Sequence, residues 1–382
     1  MDILLIMPYS QSRTSSGPIG VACDTIEGFM KIQSQLKKND VILHILSPEG
    51  RTNKNQVDKG LDTANVKFNF FNTIRPSSLT SDINYSLHLL RYRHSVDLVH
   101  SHSIYGAFCG VCLRMPTLLT LHGILWKEKD YVTNPYAKLA FDMNMVRIKR
   151  MHKRLKCLVA ISPYVTDELK SFYGDTSNVR LIENPVSDSF FEVKKNEDEG
   201  LILASGVISQ RKSQLSLIKA VELLSKDGTD VQVIFTGAIQ DSTYYQILRD
   251  YVRKHELGGV VSFEGQVPYS HLLNLYSRAS IVALTSRQET APMSVSEAMA
   301  TGTPVVASNL SGIPYMIKDG VSGYLVDPNN IPQISERIRT LIDDKNLRHS
   351  VGCSARDEAL RRWKNDIIAK NLLELYLQIV ER

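Results

Sequence analysis

What most constrains the fold of this chain is the alternation of short apolar runs with longer segments of helical periodicity. In the first half the runs are DILLIM (2–7), VILHIL (41–46), VKFNFF (66–71), DLVHSH (97–102), TLLTLH (117–122), CLVAIS (157–162) and VRLIEN (179–184). Several are separated by helix-like segments such as TIEGFMKIQSQLKK (25–38). Parallel strands need a crossover of about this length, so the pattern specifies βαβ units and a parallel sheet. The pattern restarts after the polar, acidic stretch VKKNEDEG (193–200), which lacks apolar periodicity and is the expected linker. LILASG (201–206), VQVIFTG (231–237), VVSFEG (260–265), SIVALTS (280–286), PVVAS (304–308) and GYLV (323–326) follow. The expected architecture is α/β, with two Rossmann-like domains facing across a cleft. Residues 1–187 form the first and 188–364 the second. The helix-like NDIIAKNLLELYLQIV (365–380) returns, so that 365–382 completes the first domain. Ligands in such sheets bind at the carboxyl ends of strands, where loops lead into helix N-termini.

A length of 382 residues suits two domains, and 43% hydrophobic with 22% charged residues describes a soluble protein with a substantial core. MDILLIMPYS is too short for a signal peptide or a membrane span and reads as a buried first strand. A cytoplasmic location follows as the expectation, with the five cysteines as thiols. Cys109 and Cys112 form a CxxC with no second Cys or His pair nearby, and read as two apolar thiols on one buried helix face. No GxGxxG follows any strand, so a dinucleotide fingerprint is absent.

Charge is unevenly placed. Residues 1–187 carry 23 Lys and Arg against 16 Asp and Glu, and the remainder 22 against 24. A basic first half implies an anionic partner there, a phosphate-bearing substrate or a membrane surface rather than nucleic acid. The densest cluster, RIKRMHKRLK (147–156), reads either as a solvated helix face or as peripheral contact with anionic lipid headgroups on the inner face of the membrane.

Chemistry concentrates in SRQETAPMSVSEAMATGTPVVAS (286–308), where Glu289 and Glu297 stand eight positions apart. That spacing alone carries little weight. Its setting is a complete βαβ unit: strand, loop, a helix with Pro292 at its first position, Gly302 as the C-terminal stop, and a further strand. Glu289 then lies in the loop and Glu297 on the helix. Between them the amides of Ala291, Met293 and Ser294 are helix-start donors suited to phosphate. A carboxylate on each side can accept bonds from vicinal hydroxyls, and together these features describe a nucleotide sugar. The other reading is two acids that solvate their surroundings.

Three further elements support the first reading. In ILASGVISQRKSQLSLIKAV (202–221) a strand ends at Gly206, and Arg211 and Lys212 precede a helix starting near Ser213. Paired cations there oppose the helix dipole, and a bound diphosphate supplies a reason for them. The loop PYSQSRTSSGPIG (8–20) carries Gly17 and Gly20, which let backbone approach a ligand closely. His122 closes a strand at the same carboxyl edge, where it is either structural or functional.

Taken together, these residues resemble the glycosyltransferases of family 4, retaining enzymes with the two-domain GT-B fold. The likeness spans nearly the whole chain through the Gly17–Gly20 loop, DLVHSHS (97–103), TLHG (120–123), VAISPYVTDEL (159–169), the segment 203–212, and the Glu-x7-Glu block with EAMATGTPVVAS. The resemblance implies that Glu289 holds the donor sugar's hydroxyls and Glu297 the ribose hydroxyls. Lys212 would neutralise the leaving diphosphate, with Gly206, Arg211, the backbone around Thr290, Ala291, Pro292, Met293 and Ser294, and the Gly17–Gly20 loop. His122 would sit beside the reacting sugar, and backbone at Gly265 and Gln266 would bind the base. It also implies no metal or other cofactor, since cations and a helix dipole stabilise the charge. The departing phosphate would accept the acceptor's proton.

This sequence departs from the family's pattern at three places. Val207 stands where many relatives have Arg, and Arg211 is the candidate replacement. Thr290 and Ala291 replace the usual glycines, and Tyr315 replaces a common Glu. The expected function is transfer of a sugar, with retention, from a UDP- or GDP-linked donor to a saccharide or lipid-linked acceptor, in bacterial surface polysaccharide or lipopolysaccharide synthesis. The alternatives are a nucleotide-sugar 2-epimerase-like isomerase on the same fold and a non-catalytic sugar-nucleotide binder. Intact Lys212, Glu289 and Glu297 argue against the last.

Overall fold

The computed structural model describes residues 1–9, 17–49, 62–72, 77–132 and 134–381. The chain divides into two compact units. The first contains the N-terminal strand, Gly17–Pro185 and the C-terminal segment from Asn365; the second is Val186–Lys364.

The first unit is a seven-stranded, wholly parallel sheet. Its strands are β1 (Asp2–Ile6), β2 (Ile42–Glu49), β3 (Val66–Asn72), β4 (Leu98–Ser101), β5 (Thr117–Leu121), β6 (Cys157–Ala160) and β7 (Val179–Leu181), in the order β3-β2-β1-β4-β5-β6-β7. Strands β1, β4, β5 and β6 are buried end to end apart from the first residue of β1, as apolar runs without alternation require when both faces are covered. The helical pattern at 25–38 belongs to two helices, Pro18–Lys31 and Gln33–Lys38, separated at Ile32. The C-terminal helix Asn365–Val380 packs on Pro18–Lys31 and completes this core with Ile368, Leu372, Leu373 and Tyr376. Gly28 allows the close approach, because a Cβ there would lie 2.2 Å from the carbonyl oxygen of Asn365.

The second unit is a six-stranded parallel sheet. It comprises β8 (Leu201–Ser205), β9 (Gln232–Thr236), β10 (Val261–Gly265), β11 (Ile281–Leu284), β12 (Val305–Ser308) and β13 (Tyr324–Val326), ordered β10-β9-β8-β11-β12-β13. In both sheets the order reverses beside the first strand, between β1 and β4 and between β8 and β11. Loops diverge at such points and leave a crevice at the carboxyl edge, where open α/β sheets bind ligands.

The acidic stretch 193–200 is not a free linker. Asn196 and Asp198 donate backbone bonds to Ser277 and Arg278, Glu197 pairs with Arg348 at 2.7 Å, and the Lys195 ammonium is driven inward. Its Nζ donates to the carbonyls of Tyr276 and Ala279 and to Thr303 Oγ1, and burial lowers its pKa to about 8. Polar composition misleads here because Lys195, Glu197, Asp198 and Glu199 each have a specific partner inside the second unit. The chain passes between the units at Pro185/Val186 and again at Lys364/Asn365.

Two other expectations change. Cys109 is buried with its thiol pushed up to about 11 by burial, while Cys112 on the same helix is exposed, so the two do not share a buried face. Arg147 is buried, with Nη2 2.5 Å from Asp82 Oδ2 and the guanidinium over Tyr105, so it is not part of an open basic face. Lys149, Arg150, Lys153, Arg154 and Lys156 are exposed. No described helix is long and apolar enough to cross a membrane.

Lys195→Met removes the donor from three buried acceptors. It should lower the stability of the second unit by roughly 2–4 kcal/mol, read from urea unfolding at pH 7.

Candidate active site

The sheet order brings the loop after β8 beside the loop after β11. Arg287 N–H donates to Arg211 O at 2.8 Å, Thr285 Oγ1 to Ser213 O at 3.0 Å, and Arg211 Nη1 to Gln288 O at 2.6 Å. Ser213 caps the following helix, Gln214–Lys226, in the left-handed conformation (φ 51°), which turns Arg211 and Lys212 toward β11.

The two cations do not stand bare at a helix start. Lys212 Nζ lies 2.6 Å from Glu289 Oε1, and Arg211 Nη1 lies 3.1 Å from the same oxygen. Glu289 is only 8% exposed. Burial alone pushes its carboxyl up, but Lys212 and Arg211, with a Ser286 hydroxyl, outweigh this and hold it below the ordinary value. The Glu289–Thr290 backbone is gripped from outside by Gly312, whose N–H donates to Glu289 O at 2.8 Å. A Cβ at Gly312 would fall 1.8 Å from Thr290 O, so only glycine fits this approach.

The helix Met293–Ala300 follows. Pro292 caps it in an extended conformation (ψ 120°) rather than occupying its first position, because that ψ lies outside the helical region. The Met293 and Ser294 amides precede the first intrahelical acceptor, and Val295 N–H bonds Pro292 O. Thr290, Pro292 and Ser294 are buried, Ala291 and Met293 partly so. The Ser294 Oγ is buried with no hydrogen-bond partner among the described residues. Gly302, at φ 73°, stops the helix as expected. Every residue from Ser294 to Ala300 is buried, so Glu297, 2% exposed, is not a solvated acid. Tyr276 OH donates to its Oε2 at 2.9 Å, and burial plus this carboxylate raise the Tyr276 pKa well above its usual value.

The strand-end glycines form a second tier at the same edge. Gly206 N–H donates to Thr236 O at 2.8 Å, and Gly237 N–H to Gly265 O at 2.7 Å. Gly206 faces the Lys212 stem, with its built Cβ position 3.4 Å from Lys212 Nζ. Gln266 is exposed beyond β10, two strands from β8.

In the first unit, Gly17 and Gly20 open the helix Pro18–Lys31, Gly17 with φ 108° as its cap. Residues 10–16 of the expected loop lie outside the described residues. His122 follows β5, and His102 follows β4 on the neighbouring strand. His102 Nδ1 and His122 Nε2 are 2.8 Å apart. Below them His100 bonds Tyr376 OH through Nδ1 at 2.6 Å and Thr120 Oγ1 through Nε2 at 2.7 Å. Burial lowers the pKa of His122 to about 4, and burial with the nearby His122 lowers that of His100 to about 3. All three rings are neutral at pH 7, because His102 is also lowered, chiefly by burial.

The structure thus gathers Gly206, Arg211, Lys212 and Glu289 in one cluster, continues it into Thr290–Ser294 and Glu297, and sets His122 on the other unit. Sequence reasoning missed Tyr276, which reads as an ordinary apolar helix position, and left His102 without a role although DLVHSHS contains it. Among the described residues no group of three or more His, Cys, Asp or Glu is arranged to hold a metal.

The profile described as glycosyl transferases group 1 matches residues 186–358, and that described as glycosyltransferase family 4 matches residues 31–190. Among curated proteins, the chain is 27% identical over 273 residues to D-inositol 3-phosphate glycosyltransferase of Paenarthrobacter aurescens, covering 67% of this chain and 66% of that one. Among solved structures it is similar to sucrose-phosphate synthase of Thermosynechococcus elongatus (TM-score 0.79, 20% identity, 99% and 98% covered). It is also similar to Anabaena HepE in complex with UDP and glucose (TM-score 0.75, 18% identity, 98% of each chain).

The neutral histidines imply an acid-side loss of stability. Their folded pKa values lie below the unfolded value near 6.5, so between pH 6.5 and about 4 the unfolded chain takes up protons that the native chain does not. The histidine contribution should be constant above pH 6.5 and stability should fall below it, approaching about 1.4 kcal/mol per pH unit for each histidine. Urea midpoints at pH 7.5 and pH 5 measure this, and His100→Gln should lose less than wild type over that interval.

Proposed function

The chain belongs to the family 4 glycosyltransferases with the GT-B fold, and on that premise we propose that it moves a sugar, with retention and without a metal, from a nucleoside-diphosphate donor to a saccharide or lipid-linked acceptor. The observation that carries this reading is the buried Lys212–Arg211–Glu289 cluster at the start of the Met293–Ala300 helix. A diphosphate is the ligand whose charge this cluster can exchange. Its oxygens compete with Glu289 for Lys212 and Arg211, and the Met293 and Ser294 amides add donors. Glu289, relieved of its cations, then accepts hydroxyls of the transferred sugar. Arg211 in this position supplies the charge that Val207 lacks. Glu297, oriented by the Tyr276 hydroxyl, receives the ribose hydroxyls, with backbone at Gly265 and Gln266 toward the base. His122, neutral at working pH, contacts the transferred sugar rather than carrying charge.

During transfer the bond from the anomeric carbon to the diphosphate oxygen breaks and the acceptor oxygen bonds that carbon from the same face. The acceptor's proton passes to the departing phosphate. Lys212 and Arg211 stabilise the charge that develops there, which is the task a metal performs in other transferases. A UDP-linked donor is the one we favour, since HepE is described with UDP; surface-glycan synthesis is the process we favour. Contact with the membrane's inner face would use Lys149, Arg150, Lys153 and Arg154 beside the exposed Tyr136, Leu139 and Val146.

Thermal-shift screening against UDP-, GDP-, ADP- and dTDP-sugars tests the donor, and a rise with one base alone is the expected result. Glu289→Gln removes the competitor for the two cations. It should bind UDP at least as tightly as wild type yet lose about 100-fold or more in acceptor-dependent UDP release, a rate that EDTA leaves unchanged. Epimerised donor without acceptor would mark an isomerase instead. Sedimentation with phosphatidylglycerol vesicles should be lost at high salt and reduced by Lys149→Glu/Arg150→Glu.

A further inference from the structure

The one buried ring nitrogen without a partner among the described residues belongs to a histidine that the proposed reaction does not use. His102 Nδ1 meets His122 Nε2 at 2.8 Å, while His102 Nε2 is buried and bonded to nothing among the described residues. His102 is held from several sides. His102 N–H donates to Ile6 O at 2.8 Å, which locks the strand end at the β1–β4 reversal. The His102 ring lies against His100 on one side and His122 on the other, with centroids 4.8 and 5.0 Å away. His100 is in turn fixed at both nitrogens by Tyr376 and Thr120.

One proton lies between His102 Nδ1 and His122 Nε2, and it belongs to one ring or the other. If His122 donates it, neutral His102 must carry its own proton on Nε2, which buries an N–H with no acceptor among the described residues. If His102 donates it, Nε2 is left as a bare lone pair. Buried N–H groups without acceptors are the rarer and costlier defect. The second arrangement therefore prevails, and His122, accepting at Nε2, must keep its proton on Nδ1.

We propose that His102 is a positioning residue that donates from Nδ1 to His122 Nε2, fixing the His122 ring and leaving Nδ1–H as the group it offers a ligand. His122 then presents a hydrogen-bond donor, suited to a sugar hydroxyl or ether oxygen, and has no free lone pair with which to act as a general base. This rests on the transferase reading only for the identity of the ligand; the tautomer is a property of the chain itself.

The test is long-range proton–nitrogen NMR of the histidine-labelled full chain at pH 7.5, assigned with His122→Gln. It is combined with UDP-glucose-dependent UDP release for His102→Asn and His102→Leu. Asn places an amide donor where Nδ1 stands, and Leu places none. We expect wild-type and His102→Asn chains to show His122 protonated on Nδ1, and His102→Leu to shift it toward the Nε2–H form that free imidazole side chains favour. We expect His102→Leu to lose about 10- to 100-fold in kcat with little change in KM, and His102→Asn to recover most of it. A wild-type His122 protonated on Nε2, a tautomer unmoved in His102→Leu, or equal loss in both variants would overturn the proposal. Absence of turnover in the wild-type chain would count against the transferase reading alone, because the tautomer is read without substrate.

Discussion

The contact on which the candidate site depends is the ion pair between Lys212 and Glu289. A carboxylate as buried as this one would lose its charge without compensation, and Lys212 with Arg211 supplies it. The pair also has an architectural consequence. It closes the loop after β8 onto the loop after β11, so the strand-order reversal that opens a crevice also fixes its chemistry. Gly312 and the Arg287–Arg211 backbone bond hold the same loops from either side. Both cations of the site are thus already engaged by the one carboxylate in the unliganded chain.

The first unit follows a different logic at its own reversal. Its carboxyl edge carries imidazoles kept neutral by burial, with tilted and edge-on rings in contact from Tyr376 through His100 to His102 and His122. Tyr376 comes from the C-terminal helix, so the last helix of the chain supports the histidine column as well as the core. One unit offers cations and a helix start; the other offers uncharged donors and acceptors.

Much of this was legible from residues alone. Eleven of the thirteen described strands fall inside the apolar runs, while β2 and β3 run past theirs by three residues and one; the fully buried strands were the easiest to read, because a strand covered on both faces is continuously apolar. The Glu-x7-Glu block, Gly302 as a helix stop and the return of the C-terminal helix follow from equally local rules. The errors are also physical. The acidic stretch 193–200 looked like a linker because composition does not reveal that Lys195 has three buried acceptors waiting. Arg147 looked like part of a solvated cluster because Asp82, 65 positions away, is invisible to a local reading.

The sequence by itself determined the parallel α/β architecture, the restart that makes two units, and which residue types could meet a phosphate and a diol. Those properties are encoded in periodicity, caps and turn residues within a few positions of one another. Only the tertiary structure decided that Lys212 and Arg211 are partners of Glu289 in the unliganded chain, that Tyr276 holds Glu297, and that His102 holds His122. Each of these joins positions brought together by strand order, and the energy of a buried charge or N–H depends on what surrounds it rather than on what precedes it in the chain.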